Sequence, residues 1–271
     1  MGIMDRAGSL FGSGPAPAPP TGLSRAEVEA RLRDGGRSLA RLDLTGADLA
    51  EMDLEGVDLS EAKLRNASLR GANLRGANLT EAQLCGTDLT GANLQNAVLH
   101  NANCLRTGAL KPPVLDGADL TGADLTGAEL THASLKGATL TGAVLADAGL
   151  TKADLTAAHA GGARFTGASL RHARLEDATL SGADLSEADL TRAMAHGANF
   201  SGATFTRANL TGAELQGANL STATFRDAQL DDAILRGATL TGASFAGADL
   251  DGADVSGADG GDFTGAHNVR R

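Results

Sequence analysis

Alanine stands at every fifth position from Ala118 to Ala258, 29 times in succession, and leucine or phenylalanine follows two residues after most of these alanines. Neither the helix period of about 3.6 nor the strand period of 2 sustains a repeat of five over such a length, so each pentapeptide must be one unit of a regular coil. Typical units are Ala118-Asp119-Leu120-Thr121-Gly122 and Ala183-Asp184-Leu185-Ser186-Glu187. The alanine ("small") and leucine ("central") positions are apolar and face inward. The other three carry mostly Asp, Asn, Thr, Ser, Arg, Glu or Gly, residues of solvated surfaces and turns. Thr121-Gly122 suits the middle of a type II turn, which needs φ > 0 at its second central residue. One turn per pentapeptide means one corner per pentapeptide.

The phenylalanines indicate how many corners close a coil, because large inward side chains should lie above one another. Phe165, Phe205, Phe225 and Phe245 are separated by 40, 20 and 20 residues, with Phe200 outside the column. A coil of four pentapeptides follows. Central Ala160 precedes central Phe165, and central Ala195 precedes central Phe200, so a large neighbour offsets each lost volume. The expected section is a filled square.

The motif A-(D/N)-(L/F)-(S/T)-G, repeated with few departures from about Leu39 to Val255, resembles the pentapeptide repeat family. The resemblance implies an all-β fold, a right-handed quadrilateral β-helix. It also implies a function seen in several members, which resemble B-DNA in shape, bind DNA gyrase and protect it from quinolones or other topoisomerase poisons.

Along the chain, residues 1–22 are Gly-, Ala- and Pro-rich and read as a disordered tail. Residues 23–36 read as a capping helix: Ser24 and Glu27 form a capping box, Leu23 and Val28 stand at hydrophobic-staple positions, and Gly35-Gly36 stops it. Such a helix would cover the open edge of the first coil. A first repeat block spans 37–104 and a second 118–259, with an irregular stretch at 105–117. The spacing of 16 from central Cys104 to central Leu120 leaves one, six or eleven extra residues, so either a bulge or a loop satisfies it. After Val255 the pattern is expected to break at Gly260-Gly261 and Phe263, leaving a C-terminal tail over 260–271. With no capping helix there, the last coil should be covered by its own tail or by a second subunit. The resemblance implies the latter, a homodimer through the C-terminal coils.

The chain carries 23 Lys and Arg against 33 Asp and Glu, with no Trp or Tyr. Negative charge and missing stacking platforms argue against direct nucleic-acid binding. The six histidines are scattered, no Ser-His-Asp set converges, and a convex rod lacks a water-excluding pocket, so neither enzymatic activity nor a metal or cofactor is expected. No segment approaches the ~18 consecutive apolar residues of a membrane helix. Residues 1–20 lack the sustained apolar core of a signal peptide, which makes a cytoplasmic location the expectation. Cys85 follows a central leucine and should point outward, whereas central Cys104 should point inward, which argues against a disulfide.

Charge is arranged unevenly. Asp43, Asp48, Glu51, Asp53, Glu55, Asp58 and Glu61 crowd the first coils with no Lys or Arg between them, and Lys63, Arg65, Arg70 and Arg75 answer. Asp227, Asp231, Asp232, Asp249, Asp251, Asp254, Asp259 and Asp262 face only Arg236 in their interval. Arg106 and Lys111 lie in the irregular stretch. His132, Lys152, His172 and Arg192 should stack as a basic ladder at ~4.8 Å intervals, with His132 and His172 too far apart for one Zn²⁺. Two function classes follow: a DNA-mimicking protector of gyrase or another type II topoisomerase that uses the acidic ends and the 105–115 stretch, and a structural or adaptor rod, including one in a secretion-associated assembly, with the Pro-rich tail as tether.

Overall fold

A computed structural model describes residues 22–33, 35–104 and 111–269. Helix α1, Arg25–Arg33, precedes a continuous stack of coils in which each residue between a small and a central one bridges in parallel to the residue 20 positions on, as in Asp43↔Lys63 and Asp119↔Thr139. We call this the ladder position. Only two stretches reach the length of a strand, β1 (Thr239–Ser244) and β2 (Asp259–Asp262), which pair in parallel.

The backbone hydrogen bonds explain the five-residue motif. In the unit Asp43 to Ala47, the central Leu44 N–H donates to the ladder carbonyl of Lys63 in the next coil, and the Gly46 N–H donates to the corner carbonyl of Arg65. Ala47 N–H closes the turn onto Leu44, and a ladder N–H such as that of Ser68 donates back to the small Ala47. Four of five N–H groups per unit are then paired through the backbone. The fifth, on the first corner residue, donates to the ladder carboxylate or amide two residues before it, as from Thr45 to Asp43 at 3.0 Å and from Thr211 to Asn209 at 2.9 Å. Asp and Asn therefore recur at the ladder position because they complete the turn. The second corner residue takes positive φ, met without strain by Gly122 (65°) and at a cost by Thr222 (57°).

The small and central side chains fill the interior, nearly all of them fully buried. Phe205, Phe225 and Phe245 stack with centroids 4.7 and 4.6 Å apart, and Phe200 meets Phe205 edge-on at 5.3 Å. The alanine column leaves no room for more. Ala218→Leu should destabilise the protein by ~1–3 kcal/mol through overpacking, whereas Thr211→Ala, at a half-buried corner, should change stability by within ~0.5 kcal/mol. Equal shifts in urea midpoints for the two would contradict the inward packing of Ala218.

Helix α1 closes the N-terminal end. Ser24 Oγ and N–H both donate to the Glu27 carboxylate, at 2.6 and 2.8 Å. The Leu23 and Gly22 N–H groups donate to the Asp43 and Thr45 carbonyls, which a preceding coil would otherwise have bonded, and Arg25 donates to the Ala50 carbonyl at 2.7 Å. Val28 is buried, with Leu23 and Leu32 packed against the same core.

Three features depart from the sequence reading or resolve it. The bridge offset rises to 26 at Asp88↔Val114 and returns to 20 at Val114↔Ser134, so the coil holds six extra residues and the one-residue bulge is excluded. Regular structure resumes by Pro113, earlier than residue 118. Proline fits there because a small-position N–H makes only the turn bond, and the Pro113 carbonyl still accepts from Ser134.

Second, Cys85 and Cys104 are joined in a disulfide, with Cα atoms 4.6 Å apart. Cys85 is buried rather than outward. Residues stacked in adjacent coils lie ~4.8 Å apart, within the range a disulfide spans. Cys104, the last described residue before the insertion, is 8 % exposed against 1 % for Leu84, so it is not held to the core centre as other central residues are.

Third, the repeat does not end at Gly260-Gly261. Bridges shift from an offset of 20 at Leu240↔Gly260 to 18 at Ser244↔Asp262 and Asp249↔His267, so the last coil is two residues short. Phe263 continues the aromatic column, 4.6 Å from Phe245. A Cβ on Gly260 would lie 2.9 Å from the Thr241 Cα, which is why glycine makes the shortcut.

Candidate functional site

The ladder carboxylates are held by the fold before any partner meets them. Asp119 accepts from Thr121 N–H at 3.0 Å and Thr121 Oγ1 at 2.6 Å. At Asp154 burial alone would raise the pKa, but bonds from Thr156 and Lys136 and the charge of Arg174 outweigh it and hold the carboxyl below its ordinary value. At Asp254 the hydrogen bonds from Ser256, then Arg236 at 2.7 Å, bring the pKa down to about 2. These groups stay ionised at neutral pH, and their charge is partly spent inside the rod.

The N-terminal acidic cluster is a ring rather than a patch. Asp43, Asp48, Asp53 and Asp58 are successive ladder residues, so the four-unit coil puts each on a different side, with Glu51, Glu55 and Glu61 at corners. A flat partner could meet only some of them at once. Lys63 reaches Asp43 at 3.9 Å, Arg41 pairs with Glu61 at 2.7 Å, and Asn73 donates to Asp53 at 2.9 Å. Of the basic residues that follow, Arg70 pairs instead with Asp88 at 2.9 Å.

The C-terminal acidic residues are more concentrated. Asp231, Asp232 and Asp251 share one corner, and Asp249 lies on the ladder leading to it. Asp249 accepts from Asp251 N–H and from Asn268 at 2.7 Å. Asp227 belongs to the preceding corner, 3.4 Å from Arg226, and Asp254 to the next ladder. Just past them lies an apolar depression of about 790 Å³ lined by Leu240, Ala253, Val255, Ala258 and Phe263. The sequence reading placed this end in an irregular tail. The signal it overlooked was Phe263 itself, 18 residues after Phe245.

His132, Lys152, His172 and Arg192 occupy second-corner positions of four consecutive coils, each with positive φ, of 63, 57, 53 and 54°. Lys111 is exposed at the return from the insertion, and Arg106 lies outside the described residues. His100 and His196 contact Asp124 and Glu214 at 2.6 and 2.9 Å on the surface. Among the described residues, no group of three His, Cys, Asp or Glu side chains could hold a metal ion, and no helix is long and apolar enough to cross a membrane.

The family model for pentapeptide repeats matches in eight copies, over residues 38–76, 77–107, 114–147, 148–186, 183–227 and 223–259. The chain belongs to the pentapeptide repeat family. Among solved pentapeptide repeat proteins, HetL of the cyanobacterium Nostoc sp. strain PCC 7120, involved in heterocyst differentiation regulation, is 30 % identical. The match covers 90 % of this chain and 96 % of HetL, with a TM-score of 0.43. The plasmid-mediated fluoroquinolone resistance protein QnrB1 is 19 % identical over 78 % of this chain and 90 % of its own, with a TM-score of 0.39. The pentapeptide repeat protein alr5209 of Nostoc is 41 % identical, over 38 % of this chain and 82 % of its own, with a TM-score of 0.30. No curated protein matches. Pentapeptide repeat proteins thus include one named for quinolone resistance and one for developmental regulation.

Proposed function

We propose that the coils form the right-handed quadrilateral β-helix of the family and that the chain is a non-enzymatic binding rod that docks on a type II topoisomerase, DNA gyrase foremost, at its DNA-gating surface and relieves poisoning. The observation that carries this reading is the rod itself: about eleven coils at ~4.8 Å, roughly 50 Å of regular surface, with acidic residues at both ends. Family membership supports it. The Asp231, Asp232, Asp249 and Asp251 corner beside the apolar depression offers the densest contact, and two copies meeting at that depression would cover the open last coil.

Charge favours a second reading. B-DNA of the same length carries about 30 charges at one per ~1.7 Å. From Asp43 onward this chain nets 12 negative charges, several of them already paired within the rod. An adaptor rod that displays proteins in an assembly needs no such density.

A supercoiling and cleavage-protection assay on the gyrase of the source organism, with and without a poison, separates the two. For the protector, binding weakens with salt, and replacing Asp231, Asp232, Asp249 and Asp251 by Asn weakens it about tenfold or more without unfolding, since Asn already stands at ladder positions such as Asn209. For the adaptor, these substitutions do little, and deleting residues 1–22 abolishes partner capture. No effect on gyrase or topoisomerase IV at micromolar protein rejects the protector. A gyrase partner also places the chain in the cytoplasm. The Cys85–Cys104 bond is the observation that pulls against that placement, because disulfides persist mainly in oxidising compartments.

A further inference from the structure

Stacked charges in this rod usually neutralise one another across one coil. Arg41 meets Glu61, Lys63 meets Asp43 and Arg207 meets Glu187, each pair 20 residues apart. One corner does the opposite. In its second position it carries Gly46, Asn66 and Gly86 in the first block, then His132, Lys152, His172 and Arg192, then Gly212, Asp232 and Gly252. Its first position adds Arg171 to the basic part and Asp231 and Asp251 to the acidic part.

Like charges stacked at ~4.8 Å repel. The φ of Lys152, His172, Arg192 and Asp232 lies between 53 and 57°, a region that glycine occupies freely at the same corner in Gly212 and Gly252. This corner therefore combines backbone strain with charge repulsion to present a basic block and an acidic block on one edge. Arg171 is paired with Asp189 at 2.9 Å, whereas Lys152, Arg192, Asp231 and Asp232 make no ion pair among the described residues. Arg192 and Asp232 cannot satisfy each other, since two coils, ~9.6 Å, separate them.

The sign inverts about Gly212 in equal steps. Arg192 and Asp232 each lie 20 residues from it, and His172 with Arg171, and Asp251, lie one coil further on either side. A two-fold axis perpendicular to the rod at Gly212 would bring each basic level onto an acidic one. We propose that two copies of this chain pair side by side and antiparallel along this corner, a weak, isologous, salt-dependent dimer in which Arg192 faces the partner's Asp231 and Asp232. The second copy is the occupant that the pattern specifies, because no other partner need match both signs at mirrored intervals. This pairing differs from an end-to-end dimer at Phe263, which would be apolar and insensitive to these charges.

Sedimentation velocity of the full chain tests it. At ~0.01 M ionic strength, where charges act over ~30 Å, the dimer should form at tens of micromolar, and at ~1 M it should dissociate. Lys152→Glu with Arg192→Glu, and separately Asp231→Lys with Asp232→Lys, should each sediment as monomers. Their equimolar mixture should restore the dimer. Lys152→Gly, His172→Gly and Arg192→Gly together should weaken association about tenfold or more while the melting temperature holds or rises, which separates lost association from lost fold. A wild-type monomer at low salt, a dimer indifferent to salt, or a mixture that stays monomeric would overturn the proposal.

Discussion

Phe225→Ala should lower the unfolding free energy by ~3–5 kcal/mol, the range for deleting a fully buried aromatic side chain. Phe225 is fully buried and stacked 4.7 Å from Phe205 and 4.6 Å from Phe245. Its site cannot collapse around the loss. The separation of neighbouring coils is set by ladder bonds such as Phe225 N–H to Ser244 at 2.7 Å, so the void persists with a ring above and below it. Phe225→Leu should cost far less, about 1 kcal/mol, because Leu185 already stands in the same column. In a stack whose coils touch only their neighbours, the effect should also be local. Hydrogen exchange after Phe225→Ala should quicken in residues 205–267 before residues 44–104. Uniform loss of protection along the chain, or a cost like that of Phe225→Leu, would contradict a rigid coil spacing.

What could be read from the sequence is what the period dictates. Alanine and leucine at fixed places in five, and phenylalanine at multiples of 20, specify the inward faces and the coil, because only one stacking keeps these side chains in line. The capping box at Ser24 and Glu27 was legible because its chemistry is local. Features that depend on where the period fails were not. Cys104 to Leu120 admitted three lengths of insertion, and only the bridge Asp88↔Val114 selects six residues. The Cys85–Cys104 bond was missed because side-chain direction was extrapolated from regular units to the first irregular one. Phe263 was misread because the last coil is shortened to 18 residues by a glycine pair that looked like a terminator.

The charged sites show a related limit. Asp43 to Glu61 reads as a patch when written on a line, yet a coil with a corner every five residues turns such a run around all four sides. Residues 20 apart are neighbours, and residues 10 apart are on opposite sides. The same rule gathers Asp231, Asp232 and Asp251 at one corner and aligns Lys152 with Arg192. Surface readings of a solenoid are better made down columns than along the chain.

Reduction of the Cys85–Cys104 bond should cost ~3 kcal/mol in the chain-entropy view, since it closes a loop of about one coil. The bond joins residues 19 apart in sequence, and it sits where the ladder loses its regular continuation. Elsewhere a coil is held to its neighbours by four backbone bonds per pentapeptide. At the six-residue insertion, the bond fixes the end of the first block to the coil beneath before the second block begins at Pro113 and Val114. Losing it should loosen this junction more than either end of the rod. Urea unfolding with and without dithiothreitol measures the cost, and Cys85→Ser with Cys104→Ser should reproduce the reduced protein. Hydrogen exchange of both reduced forms should then quicken at Leu84, Leu89 and Val114 while Leu44 and Leu215 stay protected. An unchanged urea midpoint on reduction would mean that the backbone ladder alone holds the junction, and that the chain loses nothing by residing in a reducing compartment.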